Sequence, residues 1–236
     1  MEIRKISISK NIQNQNEVLI QETPVLHRIK NVLRLKDNDP IILIDGSGYE
    51  YLGQIKIKEG NLYVEIKRKR KIKNLISKNI NLYIGFLKKK VLEELIEKLA
   101  QIGVRKITPI KTERTNWFCN EIPERWQKIV RKANEVSTWQ NFTELGKPLT
   151  FIEAISIAKN QNIFLLDPSG EITLRKFKKL TKKIKNINIF IGPEGGFSEK
   201  EIKLAKQNSA KTVKIPKNYF RSEIAALICS IVILYD

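Results

Sequence analysis

The sequence has little of what many enzymes rely on. It holds one histidine, His27, two cysteines, Cys119 and Cys229, and one methionine. A Ser-His-Asp triad would have to use His27, which lies in the N-terminal region, away from the α/β pattern of the rest of the chain, so hydrolase chemistry of that kind is disfavoured. His27 follows apolar Leu26, and a structural or surface role is its default reading. Two cysteines far apart supply neither a disulfide framework nor a Cys-based zinc cluster, and no HExxH occurs. There is no GxGxxG and no GxxxxGK[ST], so neither a dinucleotide fold nor a P-loop is supported. The longest nearly apolar run, Ile224 to Tyr235, has 12 residues and is interrupted by Ser230. A bilayer-spanning helix needs about 20, so a buried helix is expected there. The N-terminus alternates from Glu2 onward without an h-region, an expectation against secretion and for a cytoplasmic protein.

Acid is scarce too. The 236 residues carry 25 Asp+Glu against 44 Lys+Arg, a formal net charge of +19. Lysine supplies 33 of the bases, and isoleucine (37) and asparagine (19) are also abundant, so a drift in composition is one source of the charge. The other is attraction to a polyanion, with nucleic acid first and an anionic membrane second. Residues 1–80 hold 16 bases and 9 acids, and residues 81–236 hold 28 and 16, so the excess is spread over both parts.

Two rhythms divide the chain. Residues 1–66 read as short strands: Ile41 to Ile44, Tyr49 to Ile57 and Leu62 to Ile66, punctuated by Asp45-Gly46-Ser47-Gly48 and Glu59-Gly60-Asn61. Pro24 to Leu33 reads as one short helix, and the set suggests a small barrel. The run Lys67 to Lys78 has seven basic residues in twelve and marks the domain junction, giving domains 1–72 and 73–236. It reads either as a solvated linker or as a phosphate-contacting stripe. From residue 80 strands and helices alternate. Leu82 to Leu87, Lys106 to Ile110, Ile163 to Leu166, Ile187 to Ile191 and Lys211 to Ile215 read as strands. Val91 to Ile102, Pro123 to Trp139 and Ser222 to Tyr235 read as helices, and Ser198 with Glu201 forms a capping box. This is α/β patterning with a mostly parallel sheet covered on both faces.

Parallel sheets bind ligands at the carboxyl ends of their strands. Three such ends carry loop-specific residues: Leu166 to Gly170, Gly192 to Gly196 and Pro216 to Glu223. Gly192, Gly195 and Gly196 suit close approach of a ligand to backbone, and equally suit a tight turn into a helix. Ser222 is placed to cap the last helix, with Glu223 in its first turn. Arg221 beside them is disfavoured by the helix dipole, which leaves a phosphate or nucleobase oxygen as its partner, or an ordinary surface position.

With IGPEGGFSEKEI at 191–202 and FRSEIAAL at 220–227 in view, the sequence resembles the bacterial small-subunit (16S) ribosomal RNA uridine-N3 methyltransferases of the SPOUT superfamily. His27 with Asn31-Val32-Leu33-Arg34-Leu35 resembles the family's H…NVLRL segment, and Asp45-Gly46 its DG turn. Ile102-Gly103-Val104, Ile107-Thr108-Pro109-Ile110 and Thr112-Glu113-Arg114 resemble its ELGV…I.P…(T/S)ER run, and Arg125-Trp126 its RW segment. The resemblance covers nearly the whole chain. It implies an N-terminal PUA-like β-barrel that binds RNA and a C-terminal SPOUT domain with a trefoil knot, acting as a homodimer on the small ribosomal subunit. It implies S-adenosyl-L-methionine as cofactor and no metal.

The resemblance also assigns residues. The cofactor would lie against Leu165, Leu166, Gly192, Pro193, Glu194, Gly195 and Gly196, with Ile215, Pro216, Phe220 and Ser222 from the third strand end. Arg221 and Glu223 would be catalytic. RNA would be held by Arg34 and Arg114, with Lys67, Arg68, Lys69 and Arg70 of the basic run. The chain departs from the family pattern at Val136, Trp139, Asn218 and Ile224. Two alternatives remain at this point: a SPOUT enzyme acting on another ribosomal base, and a non-catalytic ribosome-binding factor derived from one.

Overall fold

The computed structural model describes residues 3–73, 76–137, 139, 141–215 and 220–235. It divides into two units, residues 1–75 with 134–142, and residues 76–133 with 143–236. Among the described residues no helix is long and apolar enough to cross a membrane.

The first unit is built on a five-stranded sheet. β1 (Arg4–Ser7) pairs in parallel with β3 (Pro40–Ile44), which runs antiparallel to β4 (Tyr49–Lys58); β4 pairs with β5 (Asn61–Lys71), and β5 with β2 (Glu17–Leu19). Glu59 and Gly60, both at positive φ, close the β4–β5 hairpin with the handedness that matches strand twist. Alternate residues of these strands, among them Ile6, Ile41, Leu43, Ile55 and Val64, are fully buried with Val25 and Ile29. The helix expected from Pro24 to Leu33 is two pieces, α1 (Thr23–His27) and a π-helical turn over Arg28–Val32. Arg34 follows with φ 52°, a left-handed conformation uncommon for a side chain of its size.

The basic run is not a linker through its first half. β5 continues to Lys71, and Arg68 to Lys71 pair with Leu52 to Tyr49. Residues 134–142 group with this unit. Here Glu135, on the last turn of α3 (Glu124–Ser137), is buried and accepts hydrogen bonds from the Ser7 backbone N–H (3.0 Å) and Ser7 Oγ (3.1 Å), and it pairs with Arg28.

The second unit is a parallel sheet in the order β12-β10-β11-β6-β7. These strands are β6 (Asn79–Gly85), β7 (Lys106–Lys111), β10 (Ile163–Asp167), β11 (Asn186–Ile191) and β12 (Lys211–Lys214). The two-residue strands β8 (Glu144–Leu145) and β9 (Leu149–Thr150) flank β7. Successive side chains go to opposite faces. Leu82, Ile84, Phe164, Leu166, Ile187 and Ile189 join one core with α2 (Lys89–Gln101), α3, α5 (Leu174–Thr181) and α7 (Ser222–Leu234). Tyr83, Leu165 and Phe190 join the other with α4 (Phe151–Ala158) and α6 (Glu199–Gln207). Helices therefore cover both faces, as the alternation implies. The helices α4 and α5 are additional to those read from sequence. The helix expected from Pro123 starts one residue later.

Candidate functional site

Because the strands are parallel, the ends of β6, β7, β10, β11 and β12 open on one side of the sheet. The loop after β11 is held there from several directions. Gly85 closes β6 against it: a Cβ on Gly85 would stand 2.5 Å from the Pro193 nitrogen, so only glycine permits this approach. Gly192 is as confined, with its would-be Cβ 2.9 Å from the Gly196 carbonyl carbon. Gly196 has φ +71° and open space where a Cβ would be, leaving its backbone accessible. Gly195 has an ordinary φ, and its would-be Cβ meets only the Arg114 side chain at 3.3 Å. The conformational need for glycine thus falls on Gly192 and Gly196.

Polar contacts complete the frame. The Gly196 N–H donates to the Pro193 carbonyl at 2.8 Å, closing the turn. Glu194 Oε1 accepts from the Lys88 N–H at 3.1 Å. Ser198 caps α6 in the expected box with Glu201. Glu201 is buried, and its second oxygen accepts from the Glu113 N–H at 2.9 Å. Arg114 then donates to the Gly195 carbonyl at 2.7 Å. The segment from Thr112 to Arg114 is in this way fastened to the glycine loop by Arg114 and to α6 by the Glu113 backbone. Arg114, expected among the RNA contacts, is placed at the candidate cofactor loop.

The neighbouring strand end is equally tight. Asp167 is buried at the end of β10 and accepts from the Ser169 N–H at 2.8 Å, while Ile215 N–H donates to the Asp167 carbonyl at 3.2 Å. Leu165, Leu166 and Ile215 are buried in the core. Pro216 and Asn218 lie outside the described residues. Phe220 is half-buried against the core.

At the head of α7 the expected cap is replaced. The N-cap is Arg221, exposed and without a side-chain capping bond, and Ser222 Oγ donates instead to the Pro193 carbonyl at 3.0 Å. Glu223, half-buried, stands in the first turn. Arg221 and Glu223 are thereby fixed next to the glycine loop. Arg34 and Lys67 to Arg70 belong to the first unit. Of these, Lys67 pairs with Glu65 at 2.6 Å, Lys69 lies 4.1 Å from the Tyr49 ring centre, and Arg70 donates to Glu50. Among the described residues no group of three or more His, Cys, Asp or Glu side chains is placed to hold a metal ion.

Gly85, Lys88 and the Glu201–Glu113 contact were not legible as site features. A single glycine ending a strand has no motif, and a capping-box glutamate is fully explained by its own helix.

Comparison with known proteins agrees with this architecture. A family model described as "RNA methyltransferase domain" matches residues 74–234, and one described as "RNA methyltransferase PUA domain" matches residues 26–67. The ribosomal RNA small subunit methyltransferase E of Rickettsia conorii is 29% identical over 231 residues, covering 96% of this chain and 93% of its own length. That of Buchnera aphidicola subsp. Schizaphis graminum is 28% identical, covering 90% and 88%. Two solved structures share the fold. One is a Legionella pneumophila methyltransferase in complex with SAM (TM-score 0.83, 23% identity, 98% and 97% of the chains). The other is the small subunit methyltransferase E of Neisseria gonorrhoeae bound to S-adenosyl methionine (0.79, 23%, 97% and 95%). With a PUA domain ahead of a parallel-sheet domain whose glycine loop is built as described, the chain belongs to the SPOUT-superfamily RNA methyltransferase family of the ribosomal RNA small-subunit methyltransferases E.

Proposed function

We propose that this protein methylates N3 of one uridine in small-subunit (16S) ribosomal RNA, with S-adenosyl-L-methionine as methyl donor. The observation that carries the reading is the loop Gly192–Gly196, fixed by Gly85, Arg114 and Ser222 within the methyltransferase domain. The open space at Gly196 and the confined Gly192 fit a ligand lying against backbone. Gly192 to Gly196 would hold the cofactor, together with Ser222, Phe220 and the backbone after β10. When bound, the cofactor supplies an electrophilic methyl group on sulfur.

The rest falls to the chain. Neutral uridine carries a proton on N3, and its loss spreads negative charge onto O2 and O4. Arg221, exposed beside the loop, offers a planar fork of donors to that charge. Glu223, two residues on, orients Arg221 or the base. The target base must leave its stack to reach the loop.

Further parts of the reading concern assembly. The last strand, β12, ends the sheet order, yet α7 returns to pack against α2 and β11, and Ser222 hooks onto the β11 loop. That path supports a C-terminal trefoil knot, a rare exception to unknotted topology. Ile224 and Ile231 on α7, with Tyr235 just past its end, leave exposed apolar side chains (41%, 45% and 44%), which supports a homodimer through this domain. Domains at 1–72 and 73–236, RNA contacts by Arg34 and the basic strand, and a cytoplasmic location belong to the same reading. The test is incubation of unmodified small subunits and naked ribosomal RNA with labelled cofactor, followed by mapping. Label at one uridine N3 is expected; label on another base, or none, would replace the reading.

A further inference from the structure

α5 carries positive charge and no negative charge. It carries Arg175, Lys176, Lys178 and Lys179, the turn after it adds Lys182, Lys183 and Lys185, and no acidic residue occurs between Ile172 and Pro193. All seven are exposed. Among the described residues, Arg175, Lys176, Lys179, Lys182, Lys183 and Lys185 form no ion pair. Other helices compensate their bases: Lys128 pairs with Glu124 at 2.8 Å, and Arg125 with Glu93 at 2.8 Å.

This arrangement opposes helix stability. Arg175 and Lys179 are like charges four residues apart within the helix, a destabilising pair. Arg175 and Lys176 lie in the first turn, where the dipole disfavours cations. The fold does not need them. α5 is held by Phe177, fully buried and edge-on to Phe164 at 4.7 Å, with Leu174 and Ile184 packed on the same core. A helix of about 12 Å thus presents dense positive charge. Lys211 and Lys214, exposed on the β12 strand that α5 contacts, extend it.

We infer that α5 is a docking helix for a phosphate backbone, through which the methyltransferase domain itself grips RNA. The inference rests on the reading of this protein as an RNA methyltransferase and adds a contact surface outside the PUA domain. Charge complementarity selects a polyphosphate. A membrane-surface helix would need exposed apolar side chains, and on α5 Leu180 alone is large, apolar and exposed, at 36%.

The test compares two sets of four substitutions with equal change in net charge. One is Arg175→Gln, Lys176→Gln, Lys179→Gln and Lys183→Gln; glutamine keeps helix propensity. The control is Lys98→Gln, Lys128→Gln, Lys147→Gln and Lys159→Gln, exposed on the same unit. Affinity for small-subunit ribosomal RNA is measured from low to physiological salt, beside calorimetry with S-adenosyl-L-methionine. The α5 variant is expected to flatten the slope of log affinity against log salt by about 3, since each lost phosphate contact removes roughly 0.7–0.9. Cofactor affinity should be unchanged, and the control should keep the wild-type slope. Equal slopes in the two variants would overturn the inference, as would loss of binding to phosphatidylserine vesicles with the RNA slope intact. If the four-fold variant unfolds, Lys182→Gln with Lys185→Gln, beyond the helix end, gives the same comparison at half the size. Binding is read without turnover. A wild-type protein that binds RNA through α5 but transfers no methyl group would leave this inference standing and end the functional reading instead.

Discussion

Ser222 Oγ donates to the Pro193 carbonyl at 3.0 Å, so the head of the last helix is fastened to the glycine loop by a single hydroxyl. The same carbonyl also accepts from the Gly196 N–H at 2.8 Å, so loss of the hydroxyl leaves no buried acceptor unpaired. Ser222→Ala should therefore weaken S-adenosyl-L-methionine binding modestly, about twofold to tenfold, as expected for one neutral hydrogen bond. Calorimetry checks this. Unchanged affinity would take Ser222 out of the cofactor site.

The glycines of the loop should differ in tolerance. Gly192→Ala sets a Cβ against backbone atoms of Gly196 and Phe197 at 2.9–3.1 Å, which must shift. Overpacking of this kind costs about 1–3 kcal/mol, so cofactor affinity should fall roughly tenfold or more. Gly195→Ala meets only the Arg114 side chain, which can turn aside, and should bind within about threefold of wild type. Titration of both variants decides; equal losses would show that the ligand itself fills the space at Gly195.

The division between what sequence shows and what it hides runs along the range of the contacts. The glycine loop and the Ser198–Glu201 box are local, a handful of residues whose spacing states their geometry. Strands such as Ile187 to Ile191 declare themselves by burial on both faces. Long-range hydrogen bonds leave no such trace. Ser222 obeys the capping rule on paper, but a carbonyl 29 residues earlier takes its hydroxyl. Glu135 lies 128 residues from Ser7, and nothing local announces that it belongs with the first unit. Charge also masks structure. Arg68 to Lys71 lack the apolar alternation that marks a strand, because backbone pairing with β4 holds them in place. On α5 the buried positions Phe177 and Thr181 were present but outnumbered by lysines.

Glu50 gives the first unit a pH signature. It is buried on β4, which by itself raises its pKa, but hydrogen bonds and charge from Lys5 and Arg70 outweigh burial and hold the carboxyl below its usual value. A folded pKa below the unfolded one contributes stability above the unfolded pKa, and that contribution is lost as pH falls through the folded value. Glu50→Gln should thus cost about 1.5–3 kcal/mol at neutral pH, the range for hydrogen bonds to charged groups. The gap from wild type should close as pH drops below about 4. Hydrogen exchange of β4 and β5 amides across a pH series measures it, and a gap constant down to pH 3 would remove the ion pairs as its cause.

Arg221 should separate binding from chemistry. Its guanidinium is exposed beside the glycine loop, and its own helix gains nothing from a cation at the N-cap. If it stabilises charge on the uracil ring, its contact strengthens as N3 loses its proton. Arg221→Ala should then lower kcat about 100- to 1000-fold, the usual cost of one donor to a developing anion, with cofactor affinity nearly intact. Raising the pH should partly restore the rate, because more uridine is deprotonated in advance. Arg221→Lys should retain part of it, as charge without the fork. A residue that only grips an RNA phosphate behaves otherwise: KM for RNA rises, kcat at saturation stays, and pH gives no rescue. Single-turnover kinetics on saturating small subunits across a pH series distinguishes the two, and an unchanged rate of methyl transfer would take Arg221 out of the chemistry.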